Sequence, residues 1–220
     1  APSGLSDGLA WILGLEGEER EAIARTTAAA ADGVDGSVAH GWVSRLAVQY
    51  PGDPSCLAPL LLHVVVLSPG EALHLPAGNL HAYLGGAGVE IMAASDNVLR
   101  GGLTPKHIDV PELLRVLRFE AGVPARPMKV NAGPGITTYD CGEPSFGLTL
   151  VEPDLGPVVI HPAGPSLLLA TQGVIDLAGP ESGLTLDHGD GAFVAPGEGP
   201  LTVTGAGRLW WATVGTALPR

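Results

Sequence analysis

The sequence is poor in cysteine, in basic residues and in long apolar runs, and each shortage argues against a class of protein. Its two cysteines, Cys56 and Cys141, are too few for the disulfide framework of a small secreted domain. No run of about 18 uninterrupted apolar residues occurs, and the first residues lack the basic flank and apolar stretch of a signal peptide. We therefore expect a cytoplasmic protein without a membrane partner.

Positive charge is scarce as well. Eleven Lys and Arg residues stand against 23 Asp and Glu, which gives a net charge of -12. Such a balance repels polyanions and argues against nucleic acid as a partner, although a local basic pocket could still hold one phosphorylated small molecule. A serine hydrolase is set aside because the sequence contains no Gly-x-Ser-x-Gly elbow.

Glycine and proline are abundant, with 32 and 20 residues, and they separate short runs rich in Val and Leu. This pattern is typical of many short strands joined by turns. The runs after Leu60 are LLLHVVVL, ALHLP, HAYL and GVEIMAA; those in the last third are FGLTLVEP, PSLLLATQGVIDLAG, GLTLDHGDGAFVAP, PLTVTGAG and RLWWATVG. A β-sandwich or barrel is the fold that these runs predict.

Helical patterns occur in two places. Residues 1–50 predict two helices, separated near Gly33 and ended by the proline of YPGDP, with Glu21 and Arg25 paired at i,i+4. A short helix is predicted at VPELLRVLRF, where Pro111 suits the first turn. We interpret EAGVPARPMKVNAGPG as a linker between two β units, so that the predicted segments are 1–50, 51–120 and 121–220.

One histidine follows a distinctive corner. Gly70, Pro76, Gly78 and His81 have a spacing that resembles the second motif of the cupin β-barrels, in which the histidine binds a metal. A lone histidine in a half-apolar strand is more often structural, but a rigid Pro-x-Gly corner would aim this one inward. The later unit has Leu201 at the matching position, so we expect no metal there.

The residues around His81 are more specific. The runs GEALHLPAGNLHAYL, GVEIMAASDNVLRGGLTPK and DVPELL, with YPGDPSCLAPLLL upstream, resemble the type I phosphomannose isomerases, zinc-dependent enzymes that interconvert mannose 6-phosphate and fructose 6-phosphate. The resemblance implies a mainly β protein with two cupin-type β-sandwich or jelly-roll units and a helical N-terminal segment. Residues 51–120 would be the C-terminal part of the catalytic cupin domain, and 121–220 a degenerate cupin-like domain.

The resemblance also implies a set of site residues. His81 matches a zinc ligand, Arg100 matches the arginine beside the reacting carbons, and Glu90, Asp96, Lys106 and Tyr83 match other positions that line the pocket. Simpler roles stay open at three of them. Arg100 could pair with Asp96, Lys106 could be solvated, and Tyr83 could pack in the core.

The implied chemistry is consistent with these residue types. Moving a proton between C1 and C2 of a sugar passes through an enediol or enediolate, whose negative oxygen needs a cation nearby. Zn²⁺ is a redox-inert Lewis acid, and Arg100 carries a permanent charge. Glu90 or a metal-bound water could move the proton, and the sequence does not decide between them.

The other expected zinc ligands are not found. A Gln-x-His pair and a glutamate after Lys-Pro would supply them, and neither occurs. We therefore expect an incomplete first cupin unit whose remaining ligands come from upstream residues, a missing N-terminal portion or a homodimer partner. The alternative is a non-catalytic cupin-like module that binds a sugar phosphate or a partner without a complete zinc site.

Overall fold

The structure is a computed structural model that describes residues 2–31, 37–95 and 97–215. Two compact units divide the chain. The first runs to Glu71 and also includes Leu75–Ala87 and Ser95–Ala125. The second consists of Ala72–His74, Gly88–Ala94 and the chain from Arg126 onward.

The first unit is helical, as the N-terminal pattern predicts, but the described residues before position 50 form three helices where two were predicted. The first predicted helix is interrupted at residues 14–16, where Gly14 favours a helix end. Its helices are α1 (Pro2–Leu13), α2 (Gly17–Ala31), α3 (Val38–Gln49), a 3-10 helix (Pro54–Leu60) and α4 (Val110–Val116). Asp53 and Asp109 cap the last two, each accepting a backbone hydrogen bond, and each cap is followed by a proline in the first turn. The buried residues Leu46, Ala47 and Cys56 form a small cluster that we call the α3 core.

The strands predicted between Leu60 and Ala94 are not present. Within the described residues of that stretch, the only β feature is a single bridge residue at His74, and the rest is turn, bend or irregular chain. The Val- and Leu-rich composition is right for a strand, but a strand exists only where a neighbour satisfies its N–H and C=O groups. The described chain supplies no ladder partner for this stretch, so composition overpredicted strands here.

The second unit is an antiparallel sheet of eight strands. They are β1 (Met128–Gly133), β2 (Ile136–Asp140), β3 (Phe146–Val151), β4 (Val158–Ile160), β5 (Ser166–Ala178), β6 (Gly183–Leu186), β7 (Gly191–Val194) and β8 (Leu201–Val214). The order is β1-β2-β3-β8-β5-β6, with β4 also paired to β8 and β7 to β5. The mainly β fold class is confirmed, with two local corrections. The predicted linker contains β1, and two predicted strands are the single strand β8.

The long strands β5 and β8 fold this sheet over one core. On β5 the buried residues are Ser166, Leu168 and Ala170 before an irregularity in register and Ile175 and Leu177 after it. The buried positions therefore change from even to odd numbers, because one extra residue in a strand reverses which side chains face inward. Both halves of β5 thus contribute to one core, in which Val151, Ile160, Val203 and Leu209 are fully buried.

No helix in the described part of the chain is long and apolar enough to cross a membrane.

Candidate functional site

The Pro-x-Gly corner of the predicted metal motif is held at both ends. The Asn79 amide donates to the Pro76 carbonyl at 3.3 Å, and the Arg118 amide donates to the Gly78 carbonyl at 2.9 Å. Gly78 has a φ of +87°, and a Cβ at this position would lie 3.0 Å from the Val116 carbonyl oxygen. The corner is therefore fixed against the end of α4, and both its backbone conformation and its close approach require glycine.

The backbone of this corner also orients His81. Its Nδ1 lies 3.0 Å from the Asn79 carbonyl oxygen, and because a carbonyl only accepts, the ring nitrogen must donate. The neutral imidazole then has its lone pair on Nε2, as in a histidine that binds a metal through that atom. His81 is exposed and meets the Tyr83 ring edge-on, with centroids 6.1 Å apart. Tyr83 itself is 76% exposed, so its packing in the core is excluded.

The loop after Arg100 contains an unusual backbone conformation. Leu103 has a φ of +51°, in the left-handed region that bulky side chains rarely adopt. Its amide donates to Ser55 Oγ at 2.9 Å. Gly102, with a φ of +130°, lies so close that a Cβ there would be 2.5 Å from Ser55 Cβ. The loop is thus fitted tightly against the 3-10 helix.

Arg100 and Lys106 lie on either side of this loop, and both side chains are exposed. The Lys106 amide donates to Thr104 Oγ1 at 3.2 Å, which closes a short turn. Exposure leaves the guanidinium and the ammonium accessible to an anionic ligand. It is equally compatible with a solvated Lys106.

The two segments that carry the predicted zinc ligand and the predicted catalytic arginine lie side by side. A Cβ at Gly101 would be 2.5 Å from Leu80 Cδ1, so the residues next to His81 and Arg100 in the chain are in contact. One leucine from each segment, Leu84 and Leu103, also packs against the α3 core. The structure therefore brings these two segments together against the α3 core.

Glu90 is exposed and lies in Gly88–Ala94, a stretch of the second compact unit. Asp96 lies outside the described residues, and with it the hypothesis that it pairs with Arg100. The roles assigned to both residues stay predictions.

The described residues do not assemble a complete metal site. Within ranges 2–31, 37–95 and 97–215, no group of three or more His, Cys, Asp or Glu side chains could hold an ion. A catalytic zinc usually takes three protein ligands, so His81 fits as one ligand and cannot form the site alone. Cys56 is not a ligand candidate, because it is 1% exposed and burial, assisted by the negative charge of Asp53, raises the pKa of its thiol.

Asp53 and Ser55 were not predicted as site residues. The run GDPS before the 3-10 helix is a recognisable cap signal, because an aspartate followed by proline suits the start of a helix. That signal predicts the cap at Asp53. It does not reveal that Ser55 contacts Leu103, a residue 48 positions away.

The antiparallel sheet of the second unit is of the cupin type, and the helical first unit contains the histidine that follows the Pro-x-Gly corner. Comparisons with known proteins agree with that class and identify similar proteins within it. The chain is 37% identical over 209 residues to the mannose-6-phosphate isomerase of Escherichia coli (strain K12), which covers 93% of the chain and 52% of that protein. It is 38% identical over 161 residues to the Bos taurus mannose-6-phosphate isomerase, covering 68% of the chain and 38% of that protein.

Comparison with solved structures gives the same result. The mannose 6-phosphate isomerase of Salmonella typhimurium, bound to its substrate fructose 6-phosphate and zinc, matches with a TM-score of 0.85 and 34% identity, over 98% of this chain and 55% of that one. No protein-family model matches the chain. The chain is similar to the phosphomannose isomerases, which confirms the predicted resemblance, and it spans about half the length of the curated relatives it matches.

Proposed function

We propose that the chain carries part of the active site of a mannose-6-phosphate isomerase, which interconverts mannose 6-phosphate and fructose 6-phosphate by proton transfer between C1 and C2. The observation that supports it best is the contact between the His81 and Arg100 segments on the α3 core. The similarity to a relative whose structure holds fructose 6-phosphate and zinc supports the same substrate and Zn²⁺ for this chain.

Each proposed role follows from the chemistry of its side chain. His81 Nε2 binds zinc as one of several ligands, and the others come from protein outside the described residues. Zinc, when bound, supplies a redox-inert Lewis acid for the negative charge that develops on the substrate oxygen. Arg100 stabilises the same charge with its permanent cation. Glu90 and a water molecule held at the zinc are the two candidates for moving the proton, and the proposed contacts to the sugar phosphate come from Lys106, Asp96 and Tyr83.

The proposed partners are a sugar phosphate and a further protein segment or a second copy of the chain that completes the zinc site. Nucleic acid is not among them because the chain carries a net charge of -12. Both cysteines are free thiols, which supports a reducing, cytoplasmic location.

The first experiment uses the purified 220-residue chain with added zinc. We expect less than one bound zinc per chain and no turnover of mannose 6-phosphate, because His81 alone cannot hold the ion. Stoichiometric zinc together with turnover would contradict the proposed source of the other ligands.

The second experiment replaces the aligned 209-residue segment of the Escherichia coli relative with this chain. We expect the resulting chimera to bind zinc and to isomerise mannose 6-phosphate. A folded, zinc-loaded chimera without turnover would overturn the proposal. The alternative is a non-catalytic module that binds a sugar phosphate or a partner without a complete zinc site. An inactive chimera, combined with fructose 6-phosphate binding by the chain alone in calorimetry, would establish that alternative.

A further inference from the structure

We propose that Ser55 is a positioning residue of the isomerase, because its hydroxyl holds the loop that carries Arg100. This inference rests on the proposed function. It concerns a residue outside the predicted pocket, on the 3-10 helix, whose side chain is 2% exposed and does not need to touch substrate.

The direction of each hydrogen bond at Ser55 follows from its neighbours. Ser55 Oγ lies 2.6 Å from Asp53 Oδ1 and 2.9 Å from the Leu103 amide nitrogen. A carboxylate only accepts, so the single hydroxyl proton goes to Asp53, and the oxygen's lone pair receives the Leu103 amide. The Asp53 carboxylate also accepts from the Ser55 amide at 2.9 Å, which fixes it as the cap of the helix.

A cation on α2 supports this pair. Arg20 Nη2 lies 3.7 Å from Asp53 Oδ1, and Arg20 Nε donates to the Gly52 carbonyl at 3.0 Å. The connection from Arg20 through Asp53 and Ser55 ends at the Leu103 amide, three residues from Arg100. An ion pair and a charge-assisted hydrogen bond orient Ser55 Oγ, and the neutral hydrogen bond that this oxygen accepts can hold the Leu103 amide in an otherwise unfavourable conformation.

The loop needs such support because of its own geometry. Leu103 adopts a φ of +51°, and Gly102 would place a Cβ 2.6 Å from Ser55 Oγ, so the loop follows the surface of the serine closely. Without the hydroxyl, the Leu103 amide loses its acceptor, and the backbone can relax toward a negative φ. The direction in which Arg100 leaves the loop would change with it, and catalysis depends steeply on the position of a charged group.

The test begins with amide hydrogen exchange on the isotope-labelled 220-residue chain. Ser55→Ala should speed exchange of the Leu103 amide about fivefold, the effect of losing one hydrogen bond of ordinary strength. The matched control is Ser166→Ala, which removes another buried serine hydroxyl, in the second unit, and should leave Leu103 unchanged. Unchanged Leu103 exchange in Ser55→Ala would overturn the proposal. Should Ser55→Ala fail to fold, Ser55→Cys keeps most of the volume and gives the same readout.

Activity is tested in the chimera by a double-mutant cycle with Arg100→Ala. With Arg100 present, Ser55→Ala should lower kcat about tenfold at unchanged zinc content; with Arg100 already removed, it should change kcat less than about twofold. Equal losses in both backgrounds would mean a general structural role and would refute positioning. A chimera that is inactive with Ser55 and Arg100 intact is instead a failure of the proposed function, and the exchange result still decides whether Ser55 holds the loop.

Discussion

Gly173 on β5 pairs directly with Gly207 on β8, beside the register irregularity between Ala170 and Gln172. A Cβ on Gly173 would lie 1.9 Å from the Ala206 carbonyl oxygen, and one on Gly207 would lie 1.9 Å from the Gln172 carbonyl oxygen. Neither site admits a side chain without moving the facing backbone. This glycine pair allows the two strand backbones to approach closely, next to the register irregularity that directs both halves of β5 to one core.

Gly173→Ala should therefore destabilise the second unit by about 3 kcal/mol or more, because a clash with backbone adds to the unfavourable φ of +68°. Gly189→Ala is the matched control, since Gly189 has a φ of +93° but nothing within 4 Å of its Cβ position. We expect that variant to cost about 1 kcal/mol. Urea unfolding followed by fluorescence measures both, and equal losses would contradict the importance of the close approach.

His81→Ala should lower the zinc affinity of the chimera at least about tenfold, because it removes a proposed zinc ligand. Removing a residue that only hydrogen-bonds to a ligand typically lowers metal affinity by that factor already. His107→Ala, at another exposed histidine of the first unit, is the control. Metal content after dialysis against a chelator provides the measurement. Full zinc retention by His81→Ala would remove this residue from the proposed ligand set.

Arg100→Ala should lower kcat of the chimera by about two orders of magnitude and leave zinc content unchanged, since it removes a charge that acts on the transition state. Arg25→Ala, at an exposed arginine of α2 that pairs with Glu21, should leave kcat unchanged. Steady-state kinetics with mannose 6-phosphate gives the comparison. Normal turnover in Arg100→Ala would mean that its assigned role is wrong.

The two free cysteines should differ in reactivity. Burial raises the pKa of the Cys56 thiol, with the negative charge of Asp53 as a second cause. At neutral pH a smaller fraction of Cys56 is therefore thiolate than for an ordinary cysteine. Cys141 is partly exposed. We expect a maleimide at neutral pH to modify Cys141 much faster than Cys56, and mass spectrometry of timed samples to identify the first site. Faster labelling of Cys56 would show that the α3 core opens readily.

Local patterns predicted some elements well. The helical character of the first 50 residues and the helix at Val110–Val116 follow from periodicity and caps, which depend on residues three or four apart. The break between α1 and α2 was not predicted. The prediction of strands between Leu60 and Ala94 was wrong, because a Val- and Leu-rich run shows only that the composition suits a strand. A strand also needs a partner, and sequence alone does not show whether one is available.

Among the site residues, those that belong to a local sequence pattern were predicted, and the one that depends on a long-range contact was not. The His81 corner and the Arg100 loop were recognised because their glycines and prolines stand at set spacings. The Ser55 contact to Leu103 was missed because a hydrogen bond across 48 residues leaves no local pattern.

By itself, the sequence determined the helices, the turns, the resemblance to the phosphomannose isomerases and the identity of the candidate residues, because each depends on short-range order or on matching motifs. Only the tertiary structure decided that β8 is one strand, that Tyr83 is exposed and that the Leu80 and Gly101 segments touch on the α3 core. Those outcomes depend on contacts between distant residues, and such contacts exist only after the chain has packed.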